Sequence, residues 1–269
     1  MQRRLARSLL RRMMERRSRL LDANDLGGKA IVFSPHFDDE TLACGGTIAK
    51  KRKVGTPVTV VFMTDGQKSH EGWIDPSKLA RLRTAEGLAA VRALGVAEED
   101  VYMLGIEETR LSERAEKATD MVRDILEAVQ PDEVYVPHSS EPPADHAATN
   151  RIVGAALRQA GQSVVVYEYP IWLWDFWPWT GGKRGSRRRL KDLVRDHVRV
   201  NALLVRDFKH RVFVGDVLGQ KQSALAMHAT QTSRMDGDPT WPILSDVADG
   251  DFLDCLFGDY EFFARSQSG

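Results

Sequence analysis

The sequence predicts a Rossmann-like α/β fold, a mainly parallel sheet with helices on both faces. Two observations lead there. Short apolar runs rich in β-branched residues alternate with longer segments of helical period, and such alternation builds a parallel sheet covered on both sides. At 269 residues and 42% hydrophobic content, the chain is also large enough to bury a sizeable core.

The elements follow in order. Ala30 to Ser34 is an apolar run that reads as the first buried strand. Gly45 to Lys53 is helix-like, and Pro57 to Thr64 (PVTVVFMT) is a second strand. Ser77 to Leu94 sets Leu79, Leu82, Ala85, Ala89 and Ala93 at helical spacings and stops at Gly95. Val101 to Leu104 is a third strand, Ala115 to Val129 a helix, and Glu133 to Val136 a fourth strand ended by Pro137. His146 to Ala160 is helical, and Ser163 to Glu168 is a fifth strand. His197 to Val205 and His210 to Val214 read as a closing pair of strands. A helix from about Val217 to His228 and an acidic, turn-rich tail complete the chain. In such sheets sites form beyond the carboxyl ends of the strands, which directs attention to the residues after Ser34, Thr64, Leu104, Val136 and Glu168.

Two stretches fall outside this pattern. Residues 1–27 read as a basic amphipathic helix, ended by Gly27 and Gly28, ahead of one domain over 28–269. In residues 1–21, Leu5, Leu9, Met13 and Leu20 recur among Arg3, Arg4, Arg7, Arg11 and Arg12. Such a helix can make a peripheral contact with anionic lipid, or it can pack on its own domain or on a neighbour in a homo-oligomer. The stripe lacks aromatic anchors, which weighs toward packing. From about 169 to 195 lies an insertion with Trp172, Trp174, Trp177 and Trp179, followed by GGKRGSRRRLK.

Bulk properties narrow the function classes. The 38 basic and 38 acidic residues cancel, and neither basic stretch sits in a recognisable nucleic-acid module, so nucleic acid is not expected as a partner. Cys44 and Cys255 are far apart and make no disulfide framework, which fits a reducing compartment. No apolar run nears the roughly 18 residues that span a bilayer, and arginines crowd Leu9 and Leu10 where a signal peptide needs an apolar core. The chain therefore reads as cytoplasmic.

The chemistry is concentrated after the first strand, in Pro35-His36-Phe37-Asp38-Asp39-Glu40. Adjacent carboxylates repel, and a divalent cation relieves that. His36 and Asp39 are zinc-ligand types, and Asp145-His146 after the fourth strand offers the third ligand of a site with one open position for water. Asp38 is the spare carboxylate, placed to take a proton from water. The same residues also admit a plainer reading, in which Asp39 or Thr41 caps a helix and His146 merely starts one.

The arrangement resembles the LmbE-like, or PIG-L, family of zinc-dependent N-acetylglucosaminyl deacetylases. PHFDDE matches its [AP]-H-P-D-D-E motif in five of six places, and VVFMTDG ending at Gly66 resembles its second strand and loop. Arg83-x-x-Glu86 followed by Ala89 and Leu94-Gly95 is similar to its R-x-x-E…LG helix. Asp145-His146 with Ala148 and Thr149 resembles the second half of H-x-D-H, and KQSALAMHATQ over Lys221 to Gln231 resembles K-x-x-A-L-x-x-H-x-x-Q. The resemblance implies Zn2+ held by His36, Asp39 and His146, Asp38 as general base, Arg83 on the substrate, and a small-molecule or lipid-linked amino-sugar substrate. Trp172 and Trp174 border the same crevice and are suited to a sugar face, as the arginines beyond them are to phosphate; packing in a subunit interface would equally account for the tryptophans.

Two departures stand out. The family's proline between His and Asp is Phe37, and the first histidine of H-x-D-H falls on Pro143. Something else must then protonate the leaving amine: His228, which matches a family position, His138, or Asp38 returning its proton. The alternatives to a deacetylase are a non-catalytic or altered carbohydrate-binding member of the same fold, and a metal amidase acting on another amide.

Overall fold

The computed structural model describes residues 2–181 and 190–268. In chain order the elements are α1 (Gln2–Arg17), β1 (Arg19–Leu20), β2 (Ala30–Ser34), α2 (Asp39–Lys53), β3 (Val58–Thr64) and α3 (Pro76–Ala93). They continue with β4 (Val101–Ile106), α4 (Ala115–Val129), β5 (Glu133–Pro137), α5 (Ala144–Ala160), β6 (Val165–Tyr169) and α6 (Leu190–Asp207). The last are β7 (His210–Phe213), α7 (Leu218–Met227), α8 (Ala229–Thr232), α9 (Asp251–Leu256) and β8 (Tyr260–Gln267).

Among the described residues the strands form one sheet in the order β1-β7-β8-β6-β5-β2-β3-β4. The run β6-β5-β2-β3-β4 is parallel, and β8 joins antiparallel to β6 and β7. Successive strand residues point to opposite faces, so each strand feeds two cores. Ile31, Phe33, Val61, Met63, Val134 and Val136 pack with α4 and α5, while Ala30, Val32, Val60, Phe62 and Tyr135 pack on the other side with α2 and the C-terminal elements. The predicted fold class is therefore observed. The chain leaves β2 toward β3 on one side and returns through β5 on the other. That reversal opens a crevice at the carboxyl ends of β2 and β5.

Several boundaries differ from expectation. Residues 197–205 are helical within α6, not a strand. Val200, Leu204, Val205 and Phe208 are buried at helical spacing, and this period outweighs the β-branched content that suggested a strand. The first helix ends at Arg17 and not at Gly27, with the Ser18 hydroxyl donating back to the Met14 carbonyl at 2.7 Å. α2 starts at Asp39, ahead of Gly45. The acidic tail holds α9 and a full strand, β8, whose Phe262 and Phe263 are buried. Most of the basic tip, residues 182–189, lies outside the described residues. Among the described residues no helix is long and apolar enough to cross a membrane.

A buried ion pair ties the C-terminal elements to α2. Lys221 on α7 donates to Glu261 on β8 at 2.7 Å and to the Leu256 carbonyl at 2.9 Å. Glu261 also accepts from the Gly46 and Thr47 backbone N–H groups, each at 2.8 Å, and from the Thr47 hydroxyl at 2.6 Å. Both charged side chains are fully inside. Removing one partner strands the other charge in a low dielectric. Lys221→Met is expected to lower unfolding free energy by about 3 kcal/mol or more, measured by denaturant titration; an unchanged midpoint would contradict the role given to this pair.

Candidate metal centre and cavity

β2 ends at Ser34, and the next residues turn sharply into α2. Asp38 occupies the N-cap with φ 130° and ψ −26°, a conformation that L-residues rarely adopt. Such strain costs on the order of 1–3 kcal/mol and survives only where neighbours enforce it. Glu40 is the enforcer. Its Oε2 accepts the Asp38 N–H at 3.1 Å and lies 3.1 Å from the Ser34 hydroxyl. Its Oε1 accepts from Thr41 Oγ1 at 2.7 Å and faces His228 Nε2 at 3.1 Å.

The turn brings His36 and Asp39 to His146, which sits in the first turn of α5. Ligand atoms of the three lie within 4.8 Å of one another. Asp39 Oδ2 is 3.3 Å from His36 Nδ1 and 3.3 Å from His146 Nε2. The second nitrogen of each ring faces another carboxylate, His36 Nε2 toward Asp145 and His146 Nδ1 toward Glu141, both at 3.3 Å. These carboxylates are themselves fixed. Asp145 accepts the Thr109 N–H at 2.7 Å, and Glu141 accepts the N–H groups of Ile171 and Trp172 at 2.9 Å and of Leu173 at 3.1 Å. Outer carboxylates of this kind orient imidazole ligands and raise their basicity.

The cluster fits a zinc-type ion. Two imidazoles and one carboxylate are a usual donor set that leaves one position open. Neither ring nitrogen of fully buried His146 makes a well-directed hydrogen bond, although Asp39 and Glu141 are close. An ion sited among the three side chains would satisfy Nε2, the nitrogen on the Asp39 side.

Electrostatics follow the crowding. Burial first, and the Asp39 charge second, push the Asp38 carboxyl up to about 8. Burial opposes the charged form of His146, but Asp39 overrides it and lifts the ring to about 9. Asp39 itself moves down despite burial, because His146 and His36 favour its anion.

A cavity of about 340 Å³ opens onto the cluster, lined by His36, Asp38, Asp39, Ser69, His70, Arg83, Glu108, Pro143, Trp172 and Gln231, with Leu244 and Val247 at one side. The volume suits one sugar unit. Arg83 is buried in this wall, donating Nη1 to the Gly66 carbonyl at 3.1 Å and lying 3.3 Å from His70 Nδ1. His70 Nε2 lies 2.9 Å from the Pro242 carbonyl, which can only accept, so that nitrogen carries the proton. Trp172 presents its ring to the cavity while stacking on Phe252 at 4.9 Å.

The sequence-derived candidates divide accordingly. His36, Asp38, Asp39, Arg83 and Trp172 line the cavity, and His146 lies against it through Asp39. Trp174 does not reach this cavity; it packs edge-to-face on Trp179 at 4.6 Å in the core. His228 is fully buried behind α2, against Glu40, and forms no part of the cavity wall. His138 is buried beside Glu168 and Asp207, also away from the wall. Neither His228 nor His138 lines the cavity beside Pro143. Residues given no role by the sequence are Gln231, whose amide donates to Asp38, together with His70, Glu108 and Glu141. Glu108 and His70 do follow strands β4 and β3, where the topology rule points. Glu86 anchors α8 by accepting the Thr230 N–H at 2.9 Å and its hydroxyl at 2.6 Å, and α8 carries Gln231.

Fold and cluster together define a class: α/β proteins that gather metal-ligating side chains and a spare carboxylate at the reversal point of a parallel sheet. Known proteins resemble the chain in sequence and in fold. Residues 31–157 match the family PIG-L: GlcNAc-PI de-N-acetylase, which bears out the resemblance seen in the motifs. The chain is 24% identical over 239 residues to 1D-myo-inositol 2-acetamido-2-deoxy-alpha-D-glucopyranoside deacetylase of Rhodococcus erythropolis, covering 76% of this chain and 81% of that protein. It is 31% identical over 135 residues to probable N-acetyl-alpha-D-glucosaminyl L-malate deacetylase 2 of Bacillus cereus, covering 47% of this chain and 60% of that one. In fold it is similar to N,N'-diacetylchitobiose deacetylase from Pyrococcus horikoshii, with a TM-score of 0.64 at 20% identity over 98% of this chain and 92% of that chain.

The proton count of metal uptake is checkable. Without an ion, His146 keeps its proton up to about pH 9, so loading at pH 7 must expel it. Zinc uptake should release protons, and affinity should fall as pH is lowered. Calorimetry in two buffers of different ionisation enthalpy measures the release; identical heats in both would contradict this assignment.

Proposed function

We propose that the protein is a zinc-dependent N-deacetylase that hydrolyses the acetamide of an N-acetylglucosamine-type sugar conjugate. The observation that carries this reading is the convergence of His36, Asp39 and His146 beside a spare carboxylate, Asp38, on the wall of a sugar-sized cavity. The deacetylases among its relatives, which act on N-acetylglucosamine conjugates by name, support it.

A zinc ion bound by the three side chains would lower the pKa of its water toward about 7 and polarise the amide carbonyl. Asp38 then accepts the proton of the attacking water. Of the three acidic residues at the turn, Asp38 is the one that faces the cavity without being a ligand, so it is placed to take that proton and to return it. The same group delivers that proton to the amine as the C–N bond breaks, leaving acetate and the free amino sugar. Gln231 orients the Asp38 carboxylate, and Glu40 fixes its backbone. Arg83 serves the substrate's oxygens, and Trp172 supports a sugar face. His228 acts only through Glu40, so Asp38 carries both halves of the proton transfer in place of the missing histidine at Pro143. The two cysteines are buried and unlinked, which fits the reducing cytoplasm proposed as its location.

The test is a mass-spectrometric screen of acetylated amino-sugar conjugates for loss of one acetyl group. Asp38→Asn should retain metal and lose roughly 100-fold or more in turnover, as for other positioned bases. His228→Gln should lose far less, with the pH profile keeping its shape. Full activity in Asp38→Asn would remove it from the mechanism. Sugar binding without turnover in the wild type would favour the non-catalytic reading.

A further inference from the structure

We infer that the face formed by α1, α6 and the loop at Trp177 docks on an anionic lipid bilayer. On α1, Leu5 is 62% exposed and Leu9 57%; on α6, Val194 is 51% exposed and Val198 65%. Aliphatic side chains this open on two neighbouring helices leave most of their surface free for a partner. The rest of the α1 stripe is already used: Leu10, Met13 and Met14 pack into the core.

Trp177 supplies what α1 lacks in sequence, an aromatic anchor. It is 45% exposed and fastened to α6, its N–H donating to His197 Nδ1 at 3.1 Å and its carbonyl accepting from Asn201 at 2.7 Å. Indole rings favour the headgroup level of a bilayer, where one edge is apolar and the other wet.

The arginines of α1 divide into two sets. Arg3 and Arg7 reach Asp251, and Arg11 donates to the Cys255 carbonyl at 3.0 Å, clamping the helix onto α9. Arg4, Arg12 and Arg16 face outward and make no ion pair among the described residues. Glu15 is the lone acid in this helix. Outward guanidinium groups beside exposed leucines suit anionic headgroups above an acyl boundary. A second copy of the chain suits them poorly, because a two-fold contact would set this basic face against itself. The inference does not depend on what the cavity hydrolyses.

Co-sedimentation with vesicles tests it, using phosphatidylcholine alone and phosphatidylcholine enriched in phosphatidylglycerol. The whole chain should bind only the anionic vesicles and should be released by high salt. Leu5→Gln with Leu9→Gln should weaken binding by roughly tenfold or more, with circular dichroism unchanged. Arg4→Gln with Arg12→Gln should weaken it by about fivefold per arginine, and this pair decides the matter if the leucine pair disturbs folding. Failure of the wild type to bind anionic vesicles, or undiminished binding by both pairs, would overturn the inference. So would a wild-type dimer, seen by light scattering, that the leucine pair converts to monomer, because the face would then belong to a second copy.

Discussion

Three consecutive carboxylates, Asp38, Asp39 and Glu40, are buried where β2 turns into α2, and most of the surrounding architecture answers to their mutual repulsion. Each is held by a different means. Asp39 faces two imidazoles and is drawn toward its anion by them. Glu40 is occupied by hydroxyl, backbone and imidazole partners, so its charge is spread over Ser34, Thr41, the Asp38 N–H and His228. Among the described residues Asp38 receives one side-chain hydrogen bond, from Gln231, and burial drives its proton affinity up. One group is thus a ligand type, one a brace, and one is left able to exchange a proton.

This division recruits elements far apart in the chain. His146 arrives on α5 because β5 lies beside β2, and Gln231 arrives on α8 because Glu86 of α3 grips Thr230. The loop after β6 contributes three N–H groups to Glu141, which stands behind His146. Phe37, where the related motif has proline, turns inward to stack on Phe62 at 4.5 Å. A Cβ on Gly87 would come within 2.6 Å of that ring, so the glycine in α3 is what admits the phenylalanine. The exchange is absorbed on the core side of the turn, away from His36 and Asp39.

Much of this was legible in the sequence, and what was missed has physical reasons. The parallel strands were readable because buried strands are continuous apolar runs, and they located the crevice. His36, Asp38 and Asp39 were readable because they are contiguous after the first strand, and His146 because it follows the fourth. Glu141 was not, and Asp145 and Gln231 stand in the matched motifs without a role, since what these three do depends on partners across the sheet. His228 matches a position of the related motif, yet a motif match does not say which side of α2 the helix packs on. Trp172 and Trp174 are two residues apart, and only the fold tells that one ring meets the cavity and the other the core. The tail was hardest. Its acidic composition hid β8, whose Glu261 is buried only because Lys221 and the backbone of α2 meet it there.

X-ray absorption at the zinc edge of the zinc-loaded protein directly measures the site proposed at His36, Asp39 and His146. Two imidazole nitrogens with light oxygen donors at about 2.0–2.2 Å are the predicted result. A sulfur ligand at about 2.3 Å, which only Cys44 or Cys255 among the cysteines could supply, or a shell of oxygens without imidazole, would contradict it.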